Sequence, residues 1–99
     1  MSLLERIQAK RAEIIALGAE YGATNFRIFG SVLEGKENPN DIDFLIDYTQ
    51  PEDPERAGLG FYRFENLLGK MLDHPVHLTQ AKLLKPHYAP YILPTAQAL

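Results

Sequence analysis

The sequence predicts an α+β fold in which helices pack on a small mixed β-sheet. Apolar residues recur at helical spacing through the first twenty residues, which indicates an amphipathic helix. Residues 41–48 alternate between apolar and polar side chains, as a half-buried strand does. The predicted elements follow the order helix, strand, turn, strand, helix, strand, helix, so that helices can cover one sheet.

Composition limits the class of protein. The chain has 99 residues, which predicts a single domain spanning residues 1–99. Apolar residues make up 45% and charged residues 23%, a balance that excludes a disordered chain. Ten basic and 13 acidic residues give a net charge of −3, which argues against direct nucleic-acid binding. The absence of cysteine excludes disulfides and cysteine-based zinc sites.

Nothing in the sequence predicts a membrane segment, because the longest apolar runs are only a few residues. Glu5 and Arg6 come too early for a signal peptide, so a cytoplasmic protein is expected. A chain of this length can supply few residues to line a cleft that holds two substrates. A partner protein is therefore expected to supply the second substrate, and the oligomeric state stays open.

The first predicted helix begins with a capping box, in which Ser2 is followed three residues later by Glu5. It is expected to end at Gly22, which suits the left-handed position after a helix. Its apolar face carries Leu3, Ile7, Ile14, Leu17 and Tyr21. Thr24–Phe29 is rich in β-branched and aromatic residues and predicts the first strand, which Gly30 and Ser31 end abruptly.

The remaining elements follow from similar patterns. Residues 32–40, which include Gly35, predict a loop, and Asp41–Tyr48 predicts the second strand. One face of that strand carries Ile42, Phe44, Ile46 and Tyr48. After an exposed loop, Leu59–Leu72 predicts a helix and Pro75–Thr79 a third strand. A last helix is expected with Pro86 in its first turn, kinked or shortened by Pro90.

The strongest functional signal joins Gly30 and Ser31 with Asp41 and Asp43. Alternate strand residues share a face with Cα atoms about 6.6–6.8 Å apart, and this strand contains no Lys or Arg. Two carboxylates without a cation repel each other, and a divalent ion such as Mg²⁺ or Mn²⁺ removes that cost. A strand that ends in Gly-Ser can present N–H groups and a hydroxyl to a phosphate. Taken alone, however, the first pair fits an ordinary capped turn and the second a solvated strand face.

These residues resemble the minimal nucleotidyltransferases (MNT) of the DNA polymerase β superfamily. The match lies in the stretch Arg27-Ile28-Phe29-Gly30-Ser31, in Gly35, and in Asp41-Ile42-Asp43-Phe44-Leu45-Ile46. It extends weakly over nearly the whole chain, through Val76-His77-Leu78 to Leu84-Lys85-Pro86. The resemblance implies a polymerase β-like core and the antitoxin half of a HEPN/MNT toxin–antitoxin pair. It also implies Mg²⁺- or Mn²⁺-dependent transfer of AMP from ATP to a tyrosine of the HEPN toxin.

Carried onto this chain, the resemblance implies that Asp41 and Asp43 are catalytic metal ligands and that Gly30 and Ser31 bind the phosphates. His77 stands where the family has a third carboxylate, and its imidazole is a candidate catalytic base or only a polar strand residue. Two further departures are Glu34 in place of an arginine and a loop one residue shorter than usual. The alternative hypothesis is an antitoxin that binds its partner without chemistry, and a coincidental motif is the third.

Side chains outside the motif leave alternatives of their own. Arg27 either approaches the phosphates or pairs with an acidic residue. The aromatic residues Phe61, Tyr62 and Phe64 are expected in the core or at a partner interface. The apolar stretch 88–94 would mark an interface if it is exposed.

Overall fold

The computed structural model describes residues 2–34, 40–54 and 56–99 and has the predicted α+β architecture. Four strands form one mixed sheet in the order β3-β2-β1-β4. The strands are β1 (Ala23–Phe29), β2 (Ile42–Tyr48), β3 (Val76–Gln80) and β4 (Gln97–Ala98). The helices are α1 (Leu3–Ala9), α2 (Arg11–Tyr21), α3 (Gly60–Leu72) and α4 (Ala89–Ile92). In the part of the chain so described, no helix has the length and apolar character that crossing a bilayer requires.

The pairing of the strands determines which side chains meet. β1 runs antiparallel to both β2 and β4, whereas β2 and β3 are parallel. A parallel pair needs a crossover connection, and α3 lies in the segment that joins β2 to β3. Residues 35–39, including Gly35 of the predicted loop, lie outside the described residues.

The N-terminal segment forms two helices, so the prediction of one continuous helix is wrong at Lys10. Lys10 has φ −102° and ψ 15°, and its N–H donates to the carbonyl of Ile7 at 3.1 Å. Ile7 and Ile14 are both fully buried, so the break preserves the apolar face that predicted the helix. The predicted capping box is present, with the Glu5 N–H donating to Ser2 Oγ at 3.1 Å.

The core lies between the sheet and the helices. Phe44 is fully buried on β2, and its ring packs edge to face against Phe26 of β1 at 5.7 Å between centroids. Phe26 also contacts Phe64 of α3 at 6.2 Å, which fixes α3 over the sheet. The buried core residues on β2 include Ile42, Phe44 and Ile46, as the alternation predicts. The intervening positions, Asp43 among them, therefore point to the opposite face of the sheet.

The C-terminal segment differs from its prediction. Instead of a helix starting at Pro86, one short helical turn, α4, spans Ala89–Ile92 with Pro90 in its first turn. Proline is tolerated there because its missing N–H has no partner within a helix. The strand β4 was not predicted, and it pairs with β1 through Arg27 and Ile28.

Gly22 ends α2 in a left-handed conformation, with φ +84°. We expect Gly22→Ala to destabilise the protein strongly, because the new Cβ would lie 2.0 Å from the carbonyl oxygen of Thr49. Gly58→Ala is the matched control, since Gly58 has φ +57° and no atom of the described residues would lie within 4 Å of its new Cβ. The control should lose only the backbone cost of about 1–2 kcal/mol. Urea unfolding measures both, and equal losses would show that the contact with Thr49 is unimportant.

Candidate active site

The Gly30 bend and the Asp43 carboxylate meet at the end of β1. Phe29 is the register partner of Asp43 in the antiparallel pair, and Gly30 then turns the chain with φ +78°. A Cβ atom on Gly30 would lie 2.7 Å from Asp43 Oδ2. The Asp43 carboxylate therefore lies against the backbone of the bend, and a Cβ at position 30 would force that side chain to shift. The two halves of the sequence motif are adjacent in space.

The bend is held as a short 3₁₀ turn, Gly30–Val32. The N–H groups of Leu33 and Glu34 both donate to the Gly30 carbonyl, at 3.1 and 3.3 Å. Val32 is buried and anchors the turn against the core. Ser31 lies partly exposed on this turn, and its hydroxyl has no hydrogen bond to another described residue. None of the described residues therefore prevents the Ser31 hydroxyl from forming a hydrogen bond with a ligand.

The two aspartates lie at the start of β2. Asp41 is exposed just before the strand, and Asp43 is partly buried within it. Burial raises the pKa of Asp43, the nearby His77 opposes that rise, and the negative charge of Asp41 adds to it. Of the Lys and Arg residues that the structure describes, none forms an ion pair with either aspartate. Two nearby carboxylates that no described Lys or Arg neutralises suit a hard divalent cation such as Mg²⁺.

His77 lies beside Asp43, because the two are register partners in the parallel pair of β2 and β3. Its side chain is 65% exposed, and its Nδ1 lies 4.0 Å from Glu65 Oε2. Within residues 2–34, 40–54 and 56–99, no three His, Asp or Glu side chains form a cluster that could hold a metal. A metal at the aspartates would therefore need further ligands, such as water or phosphate oxygens.

Glu65 is a residue of this region that the sequence analysis missed. It lies on α3, and its Oε2 accepts the backbone N–H of Leu78 at 2.9 Å. In sequence, Glu65 is an ordinary polar helix residue, twelve positions before His77. Only the packing of α3 against β3 brings the two side chains together.

Arg27 forms the ion pair that the sequence analysis allowed as one of two alternatives. Its Nη2 donates to Asp47 Oδ1 at 2.8 Å, and Asn25 Nδ2 donates to the other oxygen at 3.0 Å. The charge of Asp47 is therefore balanced by Arg27, whereas no Lys or Arg among the described residues pairs with Asp41 or Asp43. A cavity of about 540 Å³ adjoins Gly30 on the side of the C-terminal segment, with Tyr91 in its lining.

The aromatic residues of α3 that were predicted to lie in the core or at an interface are either packed against other residues or exposed. Phe64 is fully buried, and Phe61 packs edge to face on Tyr48 at 5.1 Å. Large apolar side chains are exposed on the C-terminal segment and at the start of α3: Leu59, Tyr62, Leu83, Tyr88, Tyr91 and Leu93.

Comparison with known proteins identifies the fold. No family model and no curated protein matches the sequence. A solved structure provisionally assigned as a minimal nucleotidyltransferase matches with a TM-score of 0.77 and 27% identity, covering 100% of this chain and 97% of that chain. A mutant of the MntA–HpeT toxin–antitoxin complex matches with a TM-score of 0.63 and 18% identity, covering 90% of this chain and 69% of that one.

A toxin–antitoxin structure with AMP-PNP matches with a TM-score of 0.65 and 19% identity, covering 88% of this chain and 69% of that one. At this identity the two toxin–antitoxin structures establish similarity of fold alone. Together, the three comparisons confirm the resemblance to minimal nucleotidyltransferases in architecture.

Proposed function

We propose that this chain, which has the fold of the minimal nucleotidyltransferases, transfers AMP from ATP to a tyrosine hydroxyl of a HEPN-type toxin. The observation that carries the proposal is the contact between the Gly30 bend and the Asp43 carboxylate, with Asp41 and His77 beside it. A phosphate-binding turn and two carboxylates in one place are the parts that metal-dependent nucleotidyl transfer requires.

Asp41 and Asp43 would hold the divalent cation, Mg²⁺ or Mn²⁺. They fit it because they are neighbouring oxygen donors that no described Lys or Arg neutralises. Burial disfavours the ionised form of Asp43, so a bound cation would relieve an existing electrostatic cost. When bound, Mg²⁺ would stabilise the negative charge that develops on the reacting phosphate.

Gly30 and Ser31 would bind the β- and γ-phosphates of ATP. The absence of a side chain on Gly30 lets the Asp43 carboxylate lie against the bend, where a Cβ would intrude, so a phosphate on the bend would lie near the proposed metal ligand. The Ser31 hydroxyl can donate a hydrogen bond to a phosphate oxygen. The backbone N–H groups of Leu33 and Glu34 hold the turn through hydrogen bonds to the Gly30 carbonyl. The backbone of Gly30 and Ser31 would therefore be positioned before ATP binds.

The acceptor hydroxyl would be activated by His77. In the proposed step, the tyrosine oxygen forms a bond to the α-phosphorus and the bond from that phosphorus to the β-phosphate oxygen breaks. Pyrophosphate leaves, and the tyrosine proton moves to an unprotonated ring nitrogen of His77. The exposure of His77 suits this role, because the acceptor belongs to another protein and must reach the site from solvent.

A second candidate function is an antitoxin that binds its partner without chemistry. His77 in place of a carboxylate favours it, because an imidazole supplies no negative charge for a metal. The exposed apolar side chains of the C-terminal segment, such as Tyr88, Tyr91 and Leu93, offer a surface for such binding.

One experiment separates the two candidates. The purified protein is incubated with Mg²⁺ and ATP labelled on the α-phosphate, together with the protein encoded beside it. Label on a tyrosine of that protein supports the transferase. A stable complex without label supports the binding module, and neither complex nor label would contradict both.

We expect His77→Asp to increase the rate of transfer, because a carboxylate next to Asp43 adds a metal ligand and a base. His77→Ala should lower the rate by about 10²–10⁴-fold, the usual contribution of a general base. His87→Asp is the matched control, since His87 is exposed on the C-terminal segment and packs on Tyr88. Initial rates of label transfer measure all three. If both changes at position 77 left the rate unaltered, His77 would lie outside the reaction.

A further inference from the structure

Glu65 is held beside His77 by a hydrogen bond from the backbone of β3, which lies at one edge of the sheet. Its Oε2 accepts the Leu78 N–H at 2.9 Å and lies 4.0 Å from His77 Nδ1. The side chain is only 22% exposed, so the carboxylate is constrained by its surroundings as well as by this hydrogen bond. A single oxygen thus accepts a main-chain hydrogen bond and lies near the imidazole, at a distance suited to a charge interaction and longer than a hydrogen bond.

The two nitrogens of a neutral imidazole differ in role, because one carries the proton and the other accepts one. A carboxylate beside Nδ1 favours the form in which Nδ1 carries the proton. The opposite nitrogen, Nε2, is then the proton acceptor. Asp43 is the register partner of His77 on β2, so the imidazole belongs to the face that carries the candidate metal ligands.

We propose that Glu65 is a positioning residue, which holds the His77 ring with its Nδ1 proton toward Glu65 and leaves Nε2 as the proton acceptor. The catalytic consequence rests on the proposed function, whereas the state of the ring does not. Together, Glu65 and His77 would substitute in part for the carboxylate that minimal nucleotidyltransferases have at position 77. Glu65 would supply the negative charge and His77 the basic atom.

A purely structural role for Glu65 makes a different prediction. In that case the side chain only satisfies the Leu78 N–H at the sheet edge, and the charge is irrelevant. Glu65→Gln distinguishes the two roles, since the amide oxygen still accepts that N–H while the negative charge is lost. Its urea unfolding midpoint should therefore match that of the wild type.

The first test is NMR of the His77 ring in the protein without ATP, at a pH chosen so that the ring carries a single proton. Long-range ¹H–¹⁵N correlations show which nitrogen carries the proton, and comparison with His77→Ala assigns the signals. We expect the Nδ1-protonated form to predominate in the wild type and to lose that predominance in Glu65→Gln. Glu20→Gln, an exposed change on α2, is the control and should leave the ring unaltered. The same ring state in wild type and Glu65→Gln would overturn the proposal.

The second test is kinetic. Glu65→Gln should lower kcat for label transfer by about 10–100-fold, the usual effect of losing a supporting partner, with little change in KM for ATP. In a His77→Ala background the same change should have no further effect. An equal loss in that background would overturn the proposal, because Glu65 would then act independently of His77. If no variant, the wild type included, transfers label, the proposed function fails and the NMR result alone decides the role of Glu65.

Discussion

Asp43→Asn is expected to lower nucleotidyl transfer by at least about 100-fold, since a charge-stabilising interaction of several kcal/mol is lost and each 1.36 kcal/mol is tenfold in rate. Asparagine keeps the size of the side chain but removes the charge that would hold the cation. The contact with the Gly30 bend makes Asp43 the better placed of the two aspartates for this role. Initial rates of label transfer from ATP measure the effect.

The same variant should be more stable than the wild type near neutral pH. Burial raises the pKa of Asp43 in the folded protein, so the folded state binds its proton more tightly than the unfolded state does. The wild type therefore loses stability as the pH rises from the unfolded pKa through the folded one, and Asp43→Asn does not. Below the pKa values of Asp43 in both the folded and the unfolded state, the wild type and Asp43→Asn should be equally sensitive to urea. Urea midpoints at acid and neutral pH measure this difference.

Asp47→Asn is the matched control, because Asp47 is on the same strand but is already paired with Arg27. It should retain full transfer and lose at most about 1 kcal/mol of stability, as exposed ion pairs do. Transfer that survived Asp43→Asn, or was lost equally in Asp47→Asn, would contradict the assignment of Asp43 as a metal ligand.

Gly30→Ala is expected to abolish binding of Mg²⁺·ATP. The new Cβ would lie 2.7 Å from Asp43 Oδ2, so the carboxylate must move away from the place where it would hold the cation of Mg²⁺·ATP. The substitution also carries the backbone cost of a left-handed alanine, about 1–2 kcal/mol. Calorimetric titration with ATP in the presence of Mg²⁺ measures binding, and urea unfolding measures the cost in stability.

Gly58→Ala separates these two effects, because it has the same type of backbone strain and none of the residues that the structure describes would lie within 4 Å of the new Cβ. It should lose a similar amount of stability from the backbone and keep its affinity for Mg²⁺·ATP. If Gly30→Ala bound Mg²⁺·ATP as tightly as Gly58→Ala, the bend and the carboxylate would not belong to one binding site.

The sheet could be predicted where its residues alternate and where glycine marks a turn. The pattern of β2 is strong because one face enters the core through Ile42, Phe44 and Ile46. Gly30 and Asp43 could be placed together because one follows the first predicted strand, the other lies near the start of the second, and consecutive strands are usually neighbours in a sheet. The resemblance to minimal nucleotidyltransferases supplied the position of His77, and the register of β2 with β3 places it beside Asp43.

Other features have no local signal. The break at Lys10 contains neither proline nor glycine, and burial at Ile7 and Ile14 continues across it. β4 has two residues, too few for an alternating pattern, and it pairs with a strand about seventy positions earlier. Glu65 lies beside His77 only because α3 packs against β3, which is a tertiary contact rather than a spacing in sequence.

The most direct test of a shared metal and phosphate site is to add Mn²⁺ and ATP to ¹⁵N-labelled protein and to record which backbone amide signals broaden. Mn²⁺ can replace Mg²⁺ at oxygen ligands, and its unpaired electrons broaden nearby signals. We expect the amides of Gly30, Ser31, Asp41, Asp43 and His77 to broaden first, and the effect to disappear in Asp43→Asn. Broadening centred on other acidic residues, or unchanged in that variant, would contradict the assignment of the site.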